Sequence, residues 1–83
     1  MKFKAQINIM PRPEILDPQG KATQHGLKNL GFNNVEGLRV GRRIELTLEA
    51  ADQSAAEAEI QTACKKLLAN TITEVFSFEV VAL

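Results

Sequence analysis

The 83-residue sequence predicts an α+β fold, a single domain over residues 1–83 in which two helices cover one face of a four-stranded antiparallel sheet. Apolar and polar residues alternate at the start, in the middle and at the end of the chain, which is typical of half-buried strands. Two helical stretches that begin with capping residues separate these alternating segments. The elements therefore follow the order strand, helix, strand, strand, helix, strand.

The first strand is predicted over residues 2–10, because its apolar residues occupy every second position and so share one face. These residues are Phe3, Ala5, Ile7 and Ile9. Pro11 and Pro13 are expected to end the strand, since neither can donate a backbone hydrogen bond to a neighbouring strand.

The first helix is predicted to begin after Asp17, whose carboxylate can accept a free N–H of the first turn. Pro18 suits the first helical position. The helix should run to about Leu30, and Gly31 should end it in the left-handed conformation. Gly20 is unexpected in a first turn, because glycine there costs roughly 0.5–1 kcal/mol relative to alanine. It indicates either a close approach to the backbone or a sharp turn that needs little bulk.

A hairpin is predicted over residues 35–40 and 43–49, which alternate on both sides of Gly41-Arg42. Glycine at the first of two turn positions is typical of a type II′ turn. The strand over 43–49 continues the apolar face of the hairpin through Ile44, Leu46 and Leu48.

The second helix is predicted over residues 55–69, preceded by a capping box in which Ser54 and Glu57 satisfy each other's backbone donors. Asn70 should end it, since asparagine tolerates the left-handed conformation. The last strand is predicted over about 73–82, with its phenylalanines on the same face as Val80.

Right-handed crossovers between these elements favour the ferredoxin-like strand order 4-1-3-2, with the first strand in the centre. The open face of that sheet would carry charges of both signs that can pair across strands. They are Lys2, Lys4, Glu45, Glu49 and Glu79. This face is either solvated surface or a polar interface with a partner.

The charge balance excludes some partners. Ten basic and ten acidic residues give a net charge of zero, which disfavours nucleic acid or an anionic membrane as partner. The apolar runs are too short for a transmembrane helix, and the N-terminus does not resemble a signal peptide. One cysteine, Cys64, cannot form an internal disulfide, which fits a cytoplasmic protein.

No catalytic constellation can be assembled from the sequence. Cys64 falls on the apolar stripe of the second helix, where a thiol acts as a small hydrophobic side chain. His25 is the only histidine and has no acidic residue nearby to orient it. One histidine and one cysteine are too few for a four-ligand metal site. We therefore expect no catalytic residue, no metal site and no cofactor bound by this chain.

Four short segments together resemble one protein family. Residues 16–21 are LDPQGK, 39–46 are RVGRRIEL, 64–70 are CKKLLAN and 78–80 are FEV. In this order and spacing, over essentially the whole chain, they are similar to PurS, the small subunit of the multi-subunit phosphoribosylformylglycinamidine (FGAM) synthase of purine biosynthesis.

The resemblance implies an accessory subunit that does not catalyse a reaction by itself. In this family the large subunit PurL performs an ATP-dependent amidation, and the glutaminase subunit PurQ releases ammonia from glutamine. The small subunit, a homodimer or tetramer, would bridge the two and shelter ammonia transfer. ATP, Mg and glutamine would be used by the partner subunits.

The resemblance also implies positions of partner contact within the matching segments. They are Asp17, Gln19, Gly20, Arg39, Arg43, Asn70 and Glu74. Thr71 and Phe76 depart from the proline and tyrosine that family members often have, whereas Glu74 between them is retained.

Two other classes of function remain open from the residues themselves. One is an ACT-like regulatory module that binds a small molecule at a helix start or dimer interface, with which Gly20 and Gly31 are compatible. The other is a free-standing enzyme of the dimeric ferredoxin-like kind, which would need an acid or a histidine inside a cleft.

Overall fold

A computed structural model describes all residues, 1–83. Its elements are, in chain order, strand β1 (Lys2–Pro11), helix α1 (Pro18–Asn29), strand β2 (Arg42–Glu49), helix α2 (Gln53–Ala63) and strand β3 (Glu74–Ala82). A π-helical turn, Cys64–Leu68, follows α2 directly. Neither helix has the length and apolar character needed to cross a bilayer.

The sheet is antiparallel, and β1 lies between its two neighbours in the order β2-β1-β3. Ile7 in the middle of β1 pairs with Ile44 of β2 on one side and with Phe78 of β3 on the other. The alternating apolar residues that include Ile7, Ile44 and Phe78 therefore share one face, as predicted. The central position of the first strand is confirmed.

The predicted fourth strand is wrong, because the antiparallel sheet has three strands and residues 35–40 form none. The Val40 amide donates to the Asp17 carboxylate at 2.8 Å, and the Val35 carbonyl accepts from the Gln24 side chain at 3.1 Å. Backbone groups of this segment are thus bonded to residues in and beside α1. Periodicity detects apolar alternation but not which partner takes the backbone hydrogen bonds.

The prediction that both helices cover the sheet is also wrong, since the buried apolar core includes no residue of α1. The core residues are Phe3, Ala5, Ile7, Ile9, Ala56, Ile60, Cys64, Ala69 and Val80. They come from β1, β3, α2 and the segment that follows α2. The residues of β2 that face the same side are only half-buried.

The two ends of the second helical segment differ from the predicted ones. Asp52 rather than Ser54 caps α2, because its carboxylate accepts from the Ala55 amide at 2.8 Å. At the other end, Ala69 leaves the π-helical turn in an extended conformation. Only Gly31 has a positive φ, of 99°, so a left-handed cap is confirmed at Gly31 and wrong at Asn70.

The molecule is long and thin. It measures 51 × 27 × 14 Å with a radius of gyration of 16.3 Å, whereas a compact chain of this length has about 12 Å. Its accessible surface is 5845 Å², against roughly 4,900 Å² for a compact monomer of this mass. We call residues 18–41 the arm, because α1 and the segment after it extend the molecule beyond its core. The arm leaves apolar surface uncovered.

The burial of Cys64 yields a testable prediction. Its side chain is fully buried, and burial raises the pKa of its thiol. A neutral, inaccessible thiol reacts slowly, so we expect a thiol reagent to modify native protein at least about tenfold more slowly than unfolded protein. Equal rates, measured against free glutathione to correct for denaturant, would contradict the placement of Cys64 in the core.

Candidate functional site

One end of the sheet carries an ion pair that joins two strands. β1 ends there, β2 begins with Arg42, and β3 begins with Glu74. The guanidinium of Arg42 donates to both Glu74 carboxylate oxygens, at 2.5 and 3.1 Å, and to the Leu68 carbonyl at 2.6 Å. Two parallel hydrogen bonds fix the orientation of an arginine–carboxylate pair. Arg42 therefore ties β2 to β3 and to the π-helical turn across the end of β1.

Glu74 also organises the loop that precedes β3. Its carboxylate accepts from the Asn70 amide at 2.7 Å, while the Asn70 side-chain oxygen accepts from the Ile72 amide at 3.1 Å. The hydrogen bond from Arg42, followed by that from the Asn70 backbone, lowers the pKa of Glu74 below its usual value. The same pair raises the pKa of Arg42. Asn70 and Glu74, both predicted contact positions, thus lie together and shape one loop.

The loop is also fastened to Arg12, the residue after β1, and it presents apolar side chains to solvent. Arg12 donates through its side chain to the Thr71 carbonyl at 2.8 Å and through its backbone to the Thr73 carbonyl at 2.9 Å. On either side of Asn70, Leu67 is 83% exposed and Ile72 is 82% exposed. We call Leu67, Asn70, Ile72 and their supporting ion pair the sheet-end patch. Rigid polar anchoring beside exposed apolar side chains is the composition of an interface.

A second cluster forms where the arm begins. The Asp17 carboxylate accepts from the Gly20 amide at 3.0 Å and from the Val40 amide at 2.8 Å. These two backbone donors, Val40 first, lower the pKa of Asp17. Asp17 therefore caps α1, as predicted, and also fixes the returning segment against the helix start.

Gly20 is buried at this point, and a Cβ atom built on it would lie 2.8 Å from the Leu38 carbonyl oxygen. The close approach expected at Gly20 is therefore made by the chain itself. Gly20, one of the predicted contact positions, is therefore not exposed. The predicted contact position next to it, Gln19, is exposed.

The remaining predicted positions do not join one site. Arg39 donates to the Pro11 carbonyl at 2.7 Å and so fastens the arm to β1. Arg43 points to the open face of the sheet, where it lies 3.4 Å from Glu45. Lys4 reaches the same carboxylate at 3.7 Å, which confirms charge pairing across that face. The predicted positions thus divide between the sheet end, the base of the arm and the open face.

Four residues of the sheet-end patch and its anchors were not predicted from the sequence: Arg12, Arg42, Leu67 and Ile72. Arg42 lay in a matching segment but was assigned to a turn. Leu67 lies in the π-helical turn. The sequence pattern of the second helix, with apolar residues three and four positions apart, does not reveal such a turn and so does not predict that Leu67 is exposed. No group of three or more His, Cys, Asp or Glu side chains is placed to hold a metal ion.

Comparison with known proteins assigns the chain to a family. A family model described as PurS: Phosphoribosylformylglycinamidine (FGAM) synthase matches residues 4–82. The chain belongs to the PurS family. The phosphoribosylformylglycinamidine synthase subunit PurS of Synechocystis is 46% identical over 81 residues, which cover 98% of this chain and 81% of that protein. The Bacillus subtilis subunit PurS is 37% identical over 78 residues, covering 94% and 92%.

Solved PurS structures share the fold. The Methanocaldococcus jannaschii PurS structure, described as one of the subunits of formylglycinamide ribonucleotide amidotransferase in the purine biosynthetic pathway, matches with a TM-score of 0.84 and 30% identity, covering 98% of both chains. A chain of the Thermotoga maritima PurLQS structure matches with a TM-score of 0.88 and 28% identity, covering 98% of this chain and 99% of that one. The resemblance seen in four short segments is thus confirmed over the whole chain.

The Glu74–Arg42 pair predicts a pH dependence of stability. A lowered pKa in the folded state means that Glu74 stabilises the fold above its unfolded pKa of about 4.3 and loses this contribution as pH falls through the folded value. Glu74→Gln should cost roughly 1 kcal/mol at neutral pH, because Arg42 is half exposed to solvent. The difference from wild type, measured by urea unfolding, should shrink at acid pH. The contribution of Asp17 to the pH dependence cancels in this difference, because both proteins contain Asp17. A difference in stability that stays constant through the acid range would contradict the pairing.

Two glycines of α1 provide a matched pair of substitutions. Gly20→Ala should destabilise the arm by about 1–3 kcal/mol, because the new Cβ overlaps the Leu38 carbonyl and the Asp17 side chain. Gly26→Ala should stabilise α1 by roughly 0.5–1 kcal/mol, since its Cβ would meet no other atom within 4 Å. Amide hydrogen exchange at Val40 reports the local stability of the arm. Similar exchange rates of the Val40 amide in both variants would show that the Leu38 carbonyl does not lie close to Gly20.

Proposed function

We propose that this chain is the small accessory subunit of the FGAM synthase of purine biosynthesis, where it bridges a PurL-type synthetase subunit and a PurQ-type glutaminase subunit. The observation that carries the proposal is the match over nearly its full length to a chain of the Thermotoga maritima PurLQS structure. ATP, Mg and glutamine are then bound by the partner subunits, and this chain catalyses no reaction alone. A single free cysteine is compatible with work in the reducing cytoplasm.

The shape of the chain supports a bridging role. It is 51 Å long, and its two clusters differ in character. The sheet-end patch offers apolar side chains beside a fixed ion pair, whereas the arm offers an exposed helix. An elongated subunit with two unlike surfaces can contact two different proteins at once, and each contact then raises the effective concentration of the other partner. Bridging in this way would also let it shelter the ammonia that passes between them.

Uncovered surface supports self-association into a dimer or tetramer. The accessible surface exceeds that of a compact monomer by roughly 900 Å², which is close to the ~800 Å² that one partner buries in an interface of standard size. The half-buried residues of β2, namely Ile44, Leu46 and Leu48, lie on the inner face of the sheet that α1 leaves open. A second copy that covers them would complete the core.

Reconstitution tests the accessory role. Purified PurL-type and PurQ-type subunits from the same organism are assayed with and without this chain, using glutamine or ammonia as nitrogen donor. We expect the chain to be required for glutamine-dependent synthesis and to have little effect on ammonia-dependent synthesis, because only the former needs the two active sites to be coupled. Full glutamine-dependent activity without the chain would refute the proposal.

The sheet-end patch provides the matched variants for this assay. Ile72→Ser removes an exposed apolar side chain beside Asn70, so it should weaken assembly with little effect on folding. Leu83→Ser removes comparable apolar surface, 70% exposed, after β3 at the opposite end of the sheet. Equal effects of the two substitutions on assembly would show that the patch has no special role.

A further inference from the structure

The arm carries an excess of positive charge on a chain that is neutral overall. Residues 18–41 include three cationic side chains, Lys21, Lys28 and Arg39, and one carboxylate, Glu36. Arg39 is bound to the Pro11 carbonyl. The three ion pairs of the structure involve Lys4, Arg42 and Arg43 only, so Lys21 and Lys28 have no carboxylate within ion-pair distance.

These two lysines line a groove between α1 and the segment that returns from it. The groove has a volume of about 430 Å³, and Gln24, His25, Phe32 and Val35 complete most of its wall. Lys21 and Lys28 are two helical turns apart, about 10 Å along the axis. The side-chain amide of Gln24 donates to the Val35 carbonyl at 3.1 Å, which holds the two sides of the groove together. Phe32, 53% exposed, presents an apolar surface at one end.

The composition of the groove selects the kind of occupant. Sites for small molecules are enclosed and mostly apolar. Only two of the seven residues that line this groove are hydrophobic, and its lysines, Lys21 and Lys28, are exposed to solvent. Unpaired lysines beside an exposed aromatic ring suit an extended surface with carboxylates and an apolar side chain. No carboxylate lines the groove to compete with such a surface.

We propose that the groove formed by Lys21, His25, Lys28 and Phe32 binds an acidic segment of another subunit, with carboxylates that meet the two lysines and an apolar side chain that packs on Phe32. This inference rests on the proposed function, because it supplies the chemistry of one contact within that assembly. The groove is separate from the sheet-end patch, which is anchored by its own ion pair. Charge at this contact speeds association and makes it sensitive to salt.

The test measures association of this chain with purified PurL-type and PurQ-type subunits by stopped flow at several salt concentrations. The variant Lys21→Glu/Lys28→Glu should slow association with one of them at least about tenfold at low salt and flatten the salt dependence. Lys21→Gln/Lys28→Gln keeps the helical propensity and should have a smaller effect of the same kind. The control is Lys2→Glu, compared with Lys21→Glu alone, because Lys2 is an exposed lysine outside both the arm and the sheet-end patch; it should alter the rate less than about twofold. Phe32→Ala should raise the dissociation rate instead.

The possible results separate the two proposals. Groove variants that behave like the Lys2 control in an intact assembly would overturn the groove inference alone. A wild-type chain that binds neither subunit would overturn the proposed function and the groove inference together. Loss of self-association in the groove variants, seen by sedimentation, would assign the groove to a second copy of this chain and refute the inference. Saturable binding of inorganic phosphate or AMP at the groove, seen by NMR, would refute it in favour of a small-molecule site.

Discussion

The carboxylate of Asp17 is the interaction on which the shape of this subunit depends. One oxygen accepts from the Gly20 amide and caps α1, and the other accepts from the Val40 amide, 23 residues away in sequence. Because Gly20 has no Cβ, the Leu38 carbonyl can lie against the helix start. The Asp17 side chain thus caps the helix and joins the two ends of the arm, Gly20 and Val40.

This use of Asp17 explains why the sheet has three strands. A fourth strand over residues 35–40 would need its own N–H and C=O groups for pairing with the sheet edge. The Val40 amide and the Val35 carbonyl are instead bonded to Asp17 and Gln24. The segment therefore stays with α1, and α1 stays off the sheet. The groove beside Lys21 and Lys28 exists for the same reason, since it lies between the helix and the segment held against it.

Local patterns predicted most of the elements, and long-range contacts decided where they lie. Alternation placed β1, β2 and β3 within one or two residues, and Asp17 and Gly31 bounded α1 correctly. The capping residue of α2 was missed because Asp52 and Ser54 both precede good helix formers, and only the Ala55 amide distinguishes them. Of the contact positions, Asn70 and Glu74 do lie together. The role of Arg42 was not predicted. The sequence Gly-Arg fits a two-residue turn as well as it fits the start of a strand, and it does not reveal that the arginine binds Glu74, 32 residues away.

The separation of α1 from the sheet links the stability of the chain to its assembly. A single helix, α2, covers the inner face, so the β2 residues on that face stay half-buried and the core is small even for a domain of this size. Anything that binds the folded state and covers these residues stabilises it by mass action. A partner that docks on the arm orders the element with fewest core contacts. Binding of a partner at these surfaces would therefore couple complex formation to folding, and the carboxylates of Asp17 and Glu74 already hold the surfaces in place in the single chain.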